Sequence, residues 1–265
     1  MTKNTDKFSP ENLQKMEQEA RAVIDSGSIA GGHCGAYYAY RTGIDMELIK
    51  SHGVIDDDYA LDYARNVNAL LKAMGLSCDG EILDAGCGIG TITNAFSKTN
   101  SGGRTFGLDL STDAIEMARE RYSTCTFTAQ SADELDNFED SFFDVIHTRE
   151  FYPFTRSNDC DFHLRFFKAF YVKLKPGRIV LVSTITVPKG LCNTFRHLSW
   201  PLKEMGYSLA KKKVIVPLRL TRRAGTWPNE FPFYWLITLL GVLLDIVRPG
   251  RVNFMFVVRK ADHGA

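Results

Sequence analysis

The fold of this chain is decided by residues 82–91, Ile-Leu-Asp-Ala-Gly-Cys-Gly-Ile-Gly-Thr. An apolar run ends here in a carboxylate, and three alternating glycines follow before a helical pattern begins at Thr91. Glycine lets the backbone turn sharply and approach a ligand closely, and the first turn of a helix offers unpaired N–H groups. The stretch therefore predicts a strand, a ligand-binding loop and a helix, in that order.

A second acidic residue, Asp109, stands at the end of the next apolar run, Thr105–Leu110. An acidic side chain at the tip of the second strand accepts hydrogen bonds from the hydroxyl groups of a ribose. Loop and carboxylate together predict a nucleoside-containing ligand at the carboxyl edge of a sheet. A purely structural alternative has Asp109 capping the next turn together with Ser111.

The glycine spacing discriminates between nucleoside ligands. A dinucleotide fingerprint has the spacing GxGxxG, but here Thr91 stands in place of the last glycine and the loop reads GxGxG. Asp84, just before the loop, would repel a pyrophosphate and would favour a ligand with a cationic or amino end. S-adenosylmethionine has that property, since it carries an α-ammonium and a sulfonium group.

From Glu81 onward, short apolar runs alternate with helical patterns. Strands are predicted at Glu81–Ala85, Thr105–Leu110, Thr126–Ala129, Phe143–Thr148 and Arg178–Thr186, and helices at Thr91–Ser97, Asp113–Tyr122 and Asp161–Leu174. Such alternation predicts an α/β fold with a doubly wound, mostly parallel sheet covered by helices on both faces. Val214–Leu220 and Val252–Arg259 would close the sheet as its sixth and seventh strands, antiparallel at the edge.

These motifs resemble those of the class I S-adenosylmethionine-dependent methyltransferases. The sequence ILDAGCGIG is similar to their first motif, and GLDLS (107–111) and TAQSADEL (128–135) are similar to the second and third. SFFDVI (141–146) and KPGRIVLVS (175–183) are similar to the fourth and fifth. The resemblance covers residues 82–183 and implies a Rossmann-like fold, a transferase activity and S-adenosylmethionine as cofactor.

The resemblance also implies a set of cofactor-binding positions: Asp84, Gly86, Cys87, Gly88, Asp109, Leu110, Ser131, Ala132 and His147. The glycine loop would pass under the methionyl part, with Asp84 holding the amino group directly or through water. Asp109 would bind the ribose. Leu110, Ser131 and Ala132 would surround the adenine, and Ser131 departs from the acidic residue that is frequent at its position, which leaves Asp133 or a backbone carbonyl as the partner of the adenine amino group. Cys87 is expected to be a small filler rather than a nucleophile.

His147 stands at the carboxyl end of the fourth strand and is the candidate catalytic residue. Methyl transfer is an in-line displacement, so the protein mainly aligns an electron pair behind the methyl group. A hydroxyl acceptor also needs a base, and the ordinary pKa of histidine, about 6.5, suits that task. The alternative is that His147 lines the methyl-transfer mouth and packs against the cofactor without moving a proton. His33 and His197 are further base candidates.

The loop after this strand contains Arg149, Tyr152 and Arg156, which either recognise an acidic or aromatic substrate or form a solvated loop. A comparable role is expected of Tyr37, Tyr38, Tyr40 and Arg41, which would face the site from an N-terminal lid. The region Phe195–Tyr207 is a second candidate for substrate recognition.

Composition narrows the class of partner. The chain has 265 residues, 32 Lys and Arg against 31 Asp and Glu, and a net charge of +1. A balanced charge disfavours a dedicated nucleic-acid binder. The six cysteines form no CxxC pair and no zinc-ligand spacing, so free thiols and no metal site are expected. The polar start of the sequence lacks a signal peptide, which favours the cytoplasm.

The predicted organisation has an N-terminal helical cap or lid at 1–75 and a methyltransferase core at 76–265. Within the core, 186–250 holds substrate-side helices and an apolar insertion. Its longest apolar run, Tyr234–Val247, is shorter than the roughly 20 residues of a membrane span. Length favours a buried helix, with an interfacial helix as the alternative. The sequence leaves the oligomeric state open.

Three functions compete at this point. The first is methyl transfer to a small molecule, with a hydroxyl oxygen of a metabolite or natural product as the favoured acceptor. The second is methylation of a lipid, quinone, sterol-like or lipid-linked acceptor, since the apolar run and nearby basic residues suit peripheral contact with a membrane. The third is a cofactor-binding partner subunit without activity of its own, which the intact glycine loop disfavours.

Overall fold

The computed structural model describes residues 57–151, 153–154, 159–184, 198–209, 213–215, 225–247 and 253–262. Its helices are α1 (Asp57–Ala73), α2 (Thr91–Thr99), α3 (Thr112–Arg121), α4 (Cys160–Lys173) and α5 (Tyr234–Val247). Its strands are β1 (Ile82–Ala85), β2 (Thr105–Asp109), β3 (Thr126–Ala129), β4 (Phe143–Arg149), β5 (Leu174–Thr184), β6 (Tyr207–Leu209), β7 (Lys213–Ile215) and β8 (Asn253–Lys260).

The strands form one mixed sheet. Seven of them follow the order β3-β2-β1-β4-β5-β8-β6, and the three-residue β7 pairs with β8 beside that path. Strands β1 to β5 are parallel, whereas β8 runs antiparallel to β5, β6 and β7. The predicted Rossmann-like α/β fold is confirmed. Strands β2 and β3 lie on one side of β1, and the strands from β4 onward lie on its other side. Ligands of such sheets bind at this switch point, outside the carboxyl ends of the strands.

Two hydrophobic cores cover the two faces of the sheet. Leu83 and Ile146 belong to the core that includes the aromatic side chains of α4. Ile82 and Val145 point to the other face, where α1 and α2 cover them. Because side chains alternate along a strand, Asp84 of β1 falls on the α1 and α2 face, and the register places His147 of β4 beside it.

Boundaries of the predicted strands agree with the structure to within one residue for β1 to β4. The differences are concentrated at the closing end of the sheet. Strand β5 begins at Leu174, before the predicted Arg178, and its pairing with β4 shifts register between Phe143 and Val145. The short strand β6 was not predicted. Strand β7 covers Lys213–Ile215, and the rest of the predicted strand Val214–Leu220 lies outside the described residues. The antiparallel closing strand, β8, is confirmed.

The predicted burial of the apolar run is wrong. It does form a helix, α5, but many of its side chains are exposed: Trp235, Leu236, Leu239, Leu240, Leu243, Leu244, Ile246 and Val247. Within the described residues, none of the helices has the length and apolar content that crossing a bilayer requires. The interfacial alternative therefore remains for this segment.

Of the predicted N-terminal cap at 1–75, the structure describes the residues from Asp57 onward. Its last part is α1, which packs on the sheet through buried residues that include Ala64, Val67 and Leu70. The predicted lid residues Tyr37, Tyr38, Tyr40 and Arg41 lie outside the described residues, as do His33 and His197.

Candidate active site

The glycine loop turns immediately after β1 and folds back against β2. The amides of Gly86 and Cys87 both donate to the carbonyl of Leu108, at 2.8 and 3.0 Å. Gly86 and Gly88 have φ values of +79° and +54°, in the left-handed region that glycine adopts without strain. A Cβ on Gly86 would lie 2.7 Å from the ring of Phe151, which follows β4. The loop therefore depends on glycine both for its turn and for this close contact.

Helix α2 begins directly after the loop, with Gly90 as its N-cap. Among the described residues no side chain caps its first turn. The first amides of a helix lack intrahelical partners and carry the positive end of the helix dipole. This end of α2 is therefore suited to an acidic or otherwise electron-rich group of a ligand.

Both carboxylate oxygens of Asp109 hold the loop and the next turn. Its Oδ2 accepts from the amide of Gly88 at 2.9 Å, and its Oδ1 accepts from the amide of Ser111 at 2.9 Å. Burial raises the pKa of this carboxyl above its ordinary value, and these two amides partly offset the rise. The Ser111 contact is the structural role considered above, whereas the Gly88 contact ties the carboxylate to the loop. Two carboxylate oxygens still offer lone pairs to ligand hydroxyl groups.

Beneath the loop, a buried chain of hydrogen bonds runs from β1 to α1. Oδ1 of Asp84 lies 2.8 Å from Nδ1 of His147, and Nε2 of that ring lies 2.9 Å from the hydroxyl of Tyr63. Oδ2 of Asp84 accepts from the hydroxyl of Thr93 in α2 at 2.7 Å. We call these four residues the buried polar chain. It connects β1, β4, α1 and α2 at the point where the glycine loop starts.

His147 occupies a different setting from the predicted one. It is 0% exposed, both ring nitrogens have partners within the protein, and its ring packs against Phe96 with centroids 4.8 Å apart. A general base must reach the proton that it removes. The structure therefore does not place His147 at the mouth through which a methyl group would pass.

The predicted recognition loop begins with an arginine that is already engaged. The guanidinium of Arg149 lies over the ring of Tyr63, 4.3 Å from its centroid, and donates to the hydroxyl of Tyr59 at 2.5 Å. Cation–π contacts of this kind hold the two elements together. Burial raises the pKa of the Tyr63 phenol well above its ordinary value, and the charge of Arg149 partly offsets this. Tyr152 and Arg156 lie outside the described residues.

The predicted adenine-side residues follow β2 and β3. Ser131 and Ala132 are each 4% exposed, and Leu110 is half-buried. The hydroxyl of Ser131 donates to Asp133, which also accepts from Arg165 of α4. Ser131 therefore holds Asp133 in place, two residues after the position at which the family pattern has an acid.

Cys87 stands inside the glycine loop but is not poised as a nucleophile. Burial raises the pKa of its thiol well above the ordinary value, and the carboxylates of Asp109 and Asp84 raise it further. Because the thiolate is the reactive form of cysteine, the neutral thiol is inert. A Cβ on Gly107 would lie 2.9 Å from Cys87 Sγ, so the thiol fills the space beside β2.

Sequence reasoning missed Tyr63, Thr93 and Phe151. Thr93 lies two residues into the helix after the loop, and Tyr63 shares a helical face with Val67 and Leu70, so the spacing carried a weak signal for both. Phe151 follows the fourth strand, and its contact with Gly86 depends on the pairing of β1 with β4.

A mostly parallel sheet with this strand order, a GxGxG loop after its first strand and a carboxylate at the tip of its second are the features of a class I S-adenosylmethionine-dependent methyltransferase. A family model described as a methyltransferase domain matches residues 76–219, which is more than half of the chain. The chain belongs to this methyltransferase-domain family. S-adenosylmethionine is the methyl donor of the class.

One curated relative is an uncharacterized methyltransferase of Schizosaccharomyces pombe, 26% identical over 126 residues. The match covers 42% of this chain and 41% of that protein, so the chain spans less than half the length of this relative.

Solved structures share the fold. A methyltransferase in complex with the Haloferax volcanii Trm112 methyltransferase activator has a TM-score of 0.55 at 19% identity, over 86% of this chain and 97% of that one. The plantazolicin methyltransferase BpumL, solved with a pentazolic desmethylPZN analogue and S-adenosylhomocysteine, has a TM-score of 0.54 at 13% identity, over 95% of this chain and 100% of that one. At such identities, the likeness supports the fold and not the acceptor.

Proposed function

We propose that this chain transfers the methyl group of S-adenosylmethionine to a small-molecule acceptor, with a hydroxyl oxygen as the receiving atom. The observation that carries the proposal is the direct bond between the glycine loop and the carboxylate of Asp109. That bond fixes the distance between the loop backbone, which is assigned to the methionyl part of the donor, and the Asp109 carboxylate, which is assigned to the ribose. A preset distance of this kind lowers the entropic cost of binding one extended ligand.

The described residues fit this donor. Gly86 and Gly88 give a backbone surface without side chains, and the carboxylate of Asp109 accepts from the ribose hydroxyl groups. Leu110 and Ala132 supply apolar contact for the adenine, and Asp133 accepts from its amino group. When bound, the donor supplies a methyl group that its sulfonium has already activated, so the protein orients the acceptor and excludes water. A hydroxyl acceptor must also give up its proton to a base as the new bond forms.

Asp84 acts on the donor from below the loop. Its carboxylate is 2% exposed and is held by Thr93 and His147. A fixed negative charge in a buried position favours a cation nearby more strongly than a solvated one would. We therefore assign Asp84 to the attraction of the positively charged methionyl part, and His147 to the positioning of Asp84.

His147→Ala and His147→Asn separate a positioning role from a base. The amide nitrogen of asparagine takes the place of Nδ1 and donates to Asp84, whereas alanine leaves this buried carboxylate without that partner. We expect His147→Ala to lower the free energy of unfolding by about 3 kcal/mol and to lower kcat. His147→Asn should keep most of both. Thermal unfolding and steady-state kinetics on the same preparations measure the two effects.

If His147 is a base instead, kcat should not follow the stability of the two variants. If kcat falls equally in His147→Asn and His147→Ala while asparagine keeps the stability, His147 moves a proton. The pH dependence of kcat gives a second criterion, because removal of a base would abolish an acidic limb in both variants.

The net charge of the chain limits the class of acceptor. A net charge of +1 disfavours nucleic acid as the acceptor. One observation favours a narrower alternative, a lipid, quinone, sterol-like or lipid-linked acceptor. Helix α5 exposes apolar side chains that have no use in the capture of a soluble metabolite, and in the sequence it precedes the closing strand of the sheet.

A single-turnover assay with methyl-labelled S-adenosylmethionine tests the proposal. Aqueous and organic-solvent extracts of cells are offered to the enzyme, with Asp109→Ala as the inactive control. We expect label in one small-molecule product, bound as an ether that resists alkali. Label in protein or nucleic acid would contradict the proposal, and label confined to the organic extract would favour the lipid alternative.

A further inference from the structure

We infer that helix α5 docks this enzyme on an anionic lipid surface. The inference goes beyond the proposed methyl transfer, because it concerns where the enzyme works and holds for any acceptor. Its basis is an apolar helix face, a concentration of positive charge beside it in the sequence, and its place next to the functional edge of the sheet.

The exposed face of α5 is too large and too apolar for ordinary surface. Six side chains of this face are 41–59% exposed: Trp235, Leu236, Leu239, Leu240, Leu243 and Leu244. The last two residues of the helix, Ile246 and Val247, are each more than 70% exposed. Soluble monomers rarely expose continuous apolar patches of this kind unless the patch binds something. Among the described residues, the helix is attached through Tyr234, which packs against one core, through Val242, which packs against the other, and through contacts with β7 and with the 227–229 turn.

Aromatic side chains stand at the start of the helix. Trp227 and Phe233 form an edge-to-face pair with centroids 5.3 Å apart, and both are about half exposed. Phe231 is 75% exposed. Large aromatic rings with apolar bodies favour the boundary between lipid headgroups and acyl chains. This end of α5 therefore has the composition of an interfacial anchor.

The charge of the surrounding sequence points to an anionic partner. Of the 32 Lys and Arg residues, eight lie in 211–251, but only two of the 31 Asp and Glu residues do. The stretch carries a formal charge of +6 while the remaining chain carries −5. Apolar insertion combined with basic residues is the pattern of helices that lie in the membrane interface. A second copy of the chain fits less well, because a symmetric contact sets each positive stretch against its duplicate.

Helix α5 lies close to the edge of the sheet that carries the glycine loop. It ends at Val247, and β8 begins at Asn253. The next residue of β8, Phe254, pairs with Thr184 at the carboxyl end of β5. The connection 248–252 spans at most about 22 Å. Docking through α5 therefore brings the acceptor side of the enzyme near the lipid surface.

Flotation of the full chain with vesicles tests the inference. One set consists of phosphatidylcholine alone, and the other contains phosphatidylglycerol as well. We expect the protein to float with the anionic vesicles, to bind neutral vesicles more weakly, and to lose the difference at high salt, since ions screen exposed charge.

Leu243→Glu and Val172→Glu form a matched pair. Leu243 of α5 is 50% exposed, and Val172 of α4 is 45% exposed on another part of the molecule. We expect Leu243→Glu to lower the partition coefficient at least about tenfold, because burial of a leucine exceeds the free energy of one tenfold step. Val172→Glu should change it less than about twofold, as its single added charge lies away from the docking face.

Four results would overturn the inference: no flotation with anionic vesicles, equal binding to both kinds of vesicle, equal loss in the two variants, or a dimer that Leu243→Glu converts to monomer. The last would show that a second copy covers α5. Calorimetric titration with S-adenosylmethionine in each variant distinguishes a failure of docking from a failure of the proposed donor site, since the donor affinity should stay unchanged.

Discussion

Asp109→Ala should lower the affinity for S-adenosylmethionine by about a hundredfold or more, since two hydrogen bonds to a charged acceptor are lost, each of about 1.5–3 kcal/mol. The variant also loses the bond from the amide of Gly88 at 2.9 Å, so the loop loses its fixed distance from β2. Titration calorimetry measures the affinity. Circular dichroism should show an unchanged fold, because burial raises the pKa of this carboxyl and its charge is therefore not a source of stability at neutral pH.

Glu116→Ala is the matched control. It removes an exposed carboxylate from α3, the helix that follows Asp109, and makes the same change in net charge. Its affinity should stay within about twofold of the parent, because the effect of a single exposed charge is small. An unchanged affinity in Asp109→Ala would show that the ribose is held elsewhere and would remove the basis of the proposed donor site.

The parallel part of the fold was predictable because its signals are local. The loop from Gly86 to Gly90 follows from backbone conformations that only glycine adopts without strain, and β1 before it follows from a short apolar run. Strand order then brings the end of β2 beside the loop, so that the bond between Asp109 and Gly88 arises from two motifs that are each visible in the sequence.

The surroundings of His147 were not predictable in the same way. Its partner Tyr63 is 84 positions away in the sequence. Tyr59, whose hydroxyl accepts a hydrogen bond from Arg149, is 90 positions from that arginine. Such contacts depend on how α1 settles on the sheet, which periodicity does not specify. A histidine at the end of a strand fits both an open site and a buried hydrogen bond, and the sequence contains no feature that decides between them.

Helix α5 was misjudged for a different reason. Apolar composition indicates that a surface avoids water, but it does not say whether protein or lipid covers that surface. The length of Tyr234–Val247 excluded a membrane span and made burial the simpler interpretation. Exposure distinguishes the two interpretations, because side chains of the helix such as Leu243, at 50%, are not covered by protein in the structure.

Gly88→Val should eliminate measurable binding of S-adenosylmethionine while the chain still folds. Residue 88 has a φ of +54°, where an L-residue costs about 1–2 kcal/mol relative to glycine, and a branched side chain would occupy the surface meant for the donor. The amide of Gly88 also donates to Asp109, so any shift of the backbone moves the carboxylate as well. We expect an affinity loss of at least about a hundredfold, measured by calorimetry, with a modest fall in Tm.

Gly75→Val separates backbone strain from obstruction of the site. Gly75 has a φ of +73° and nothing within 4 Å of an added Cβ, so valine meets the same strain there in open space. Both variants should therefore lose similar stability, but only Gly88→Val should lose the donor. Equal affinities in the two variants would mean that the donor does not pass over residue 88, and the carboxylate of Asp109 would then face a different ligand from the one proposed.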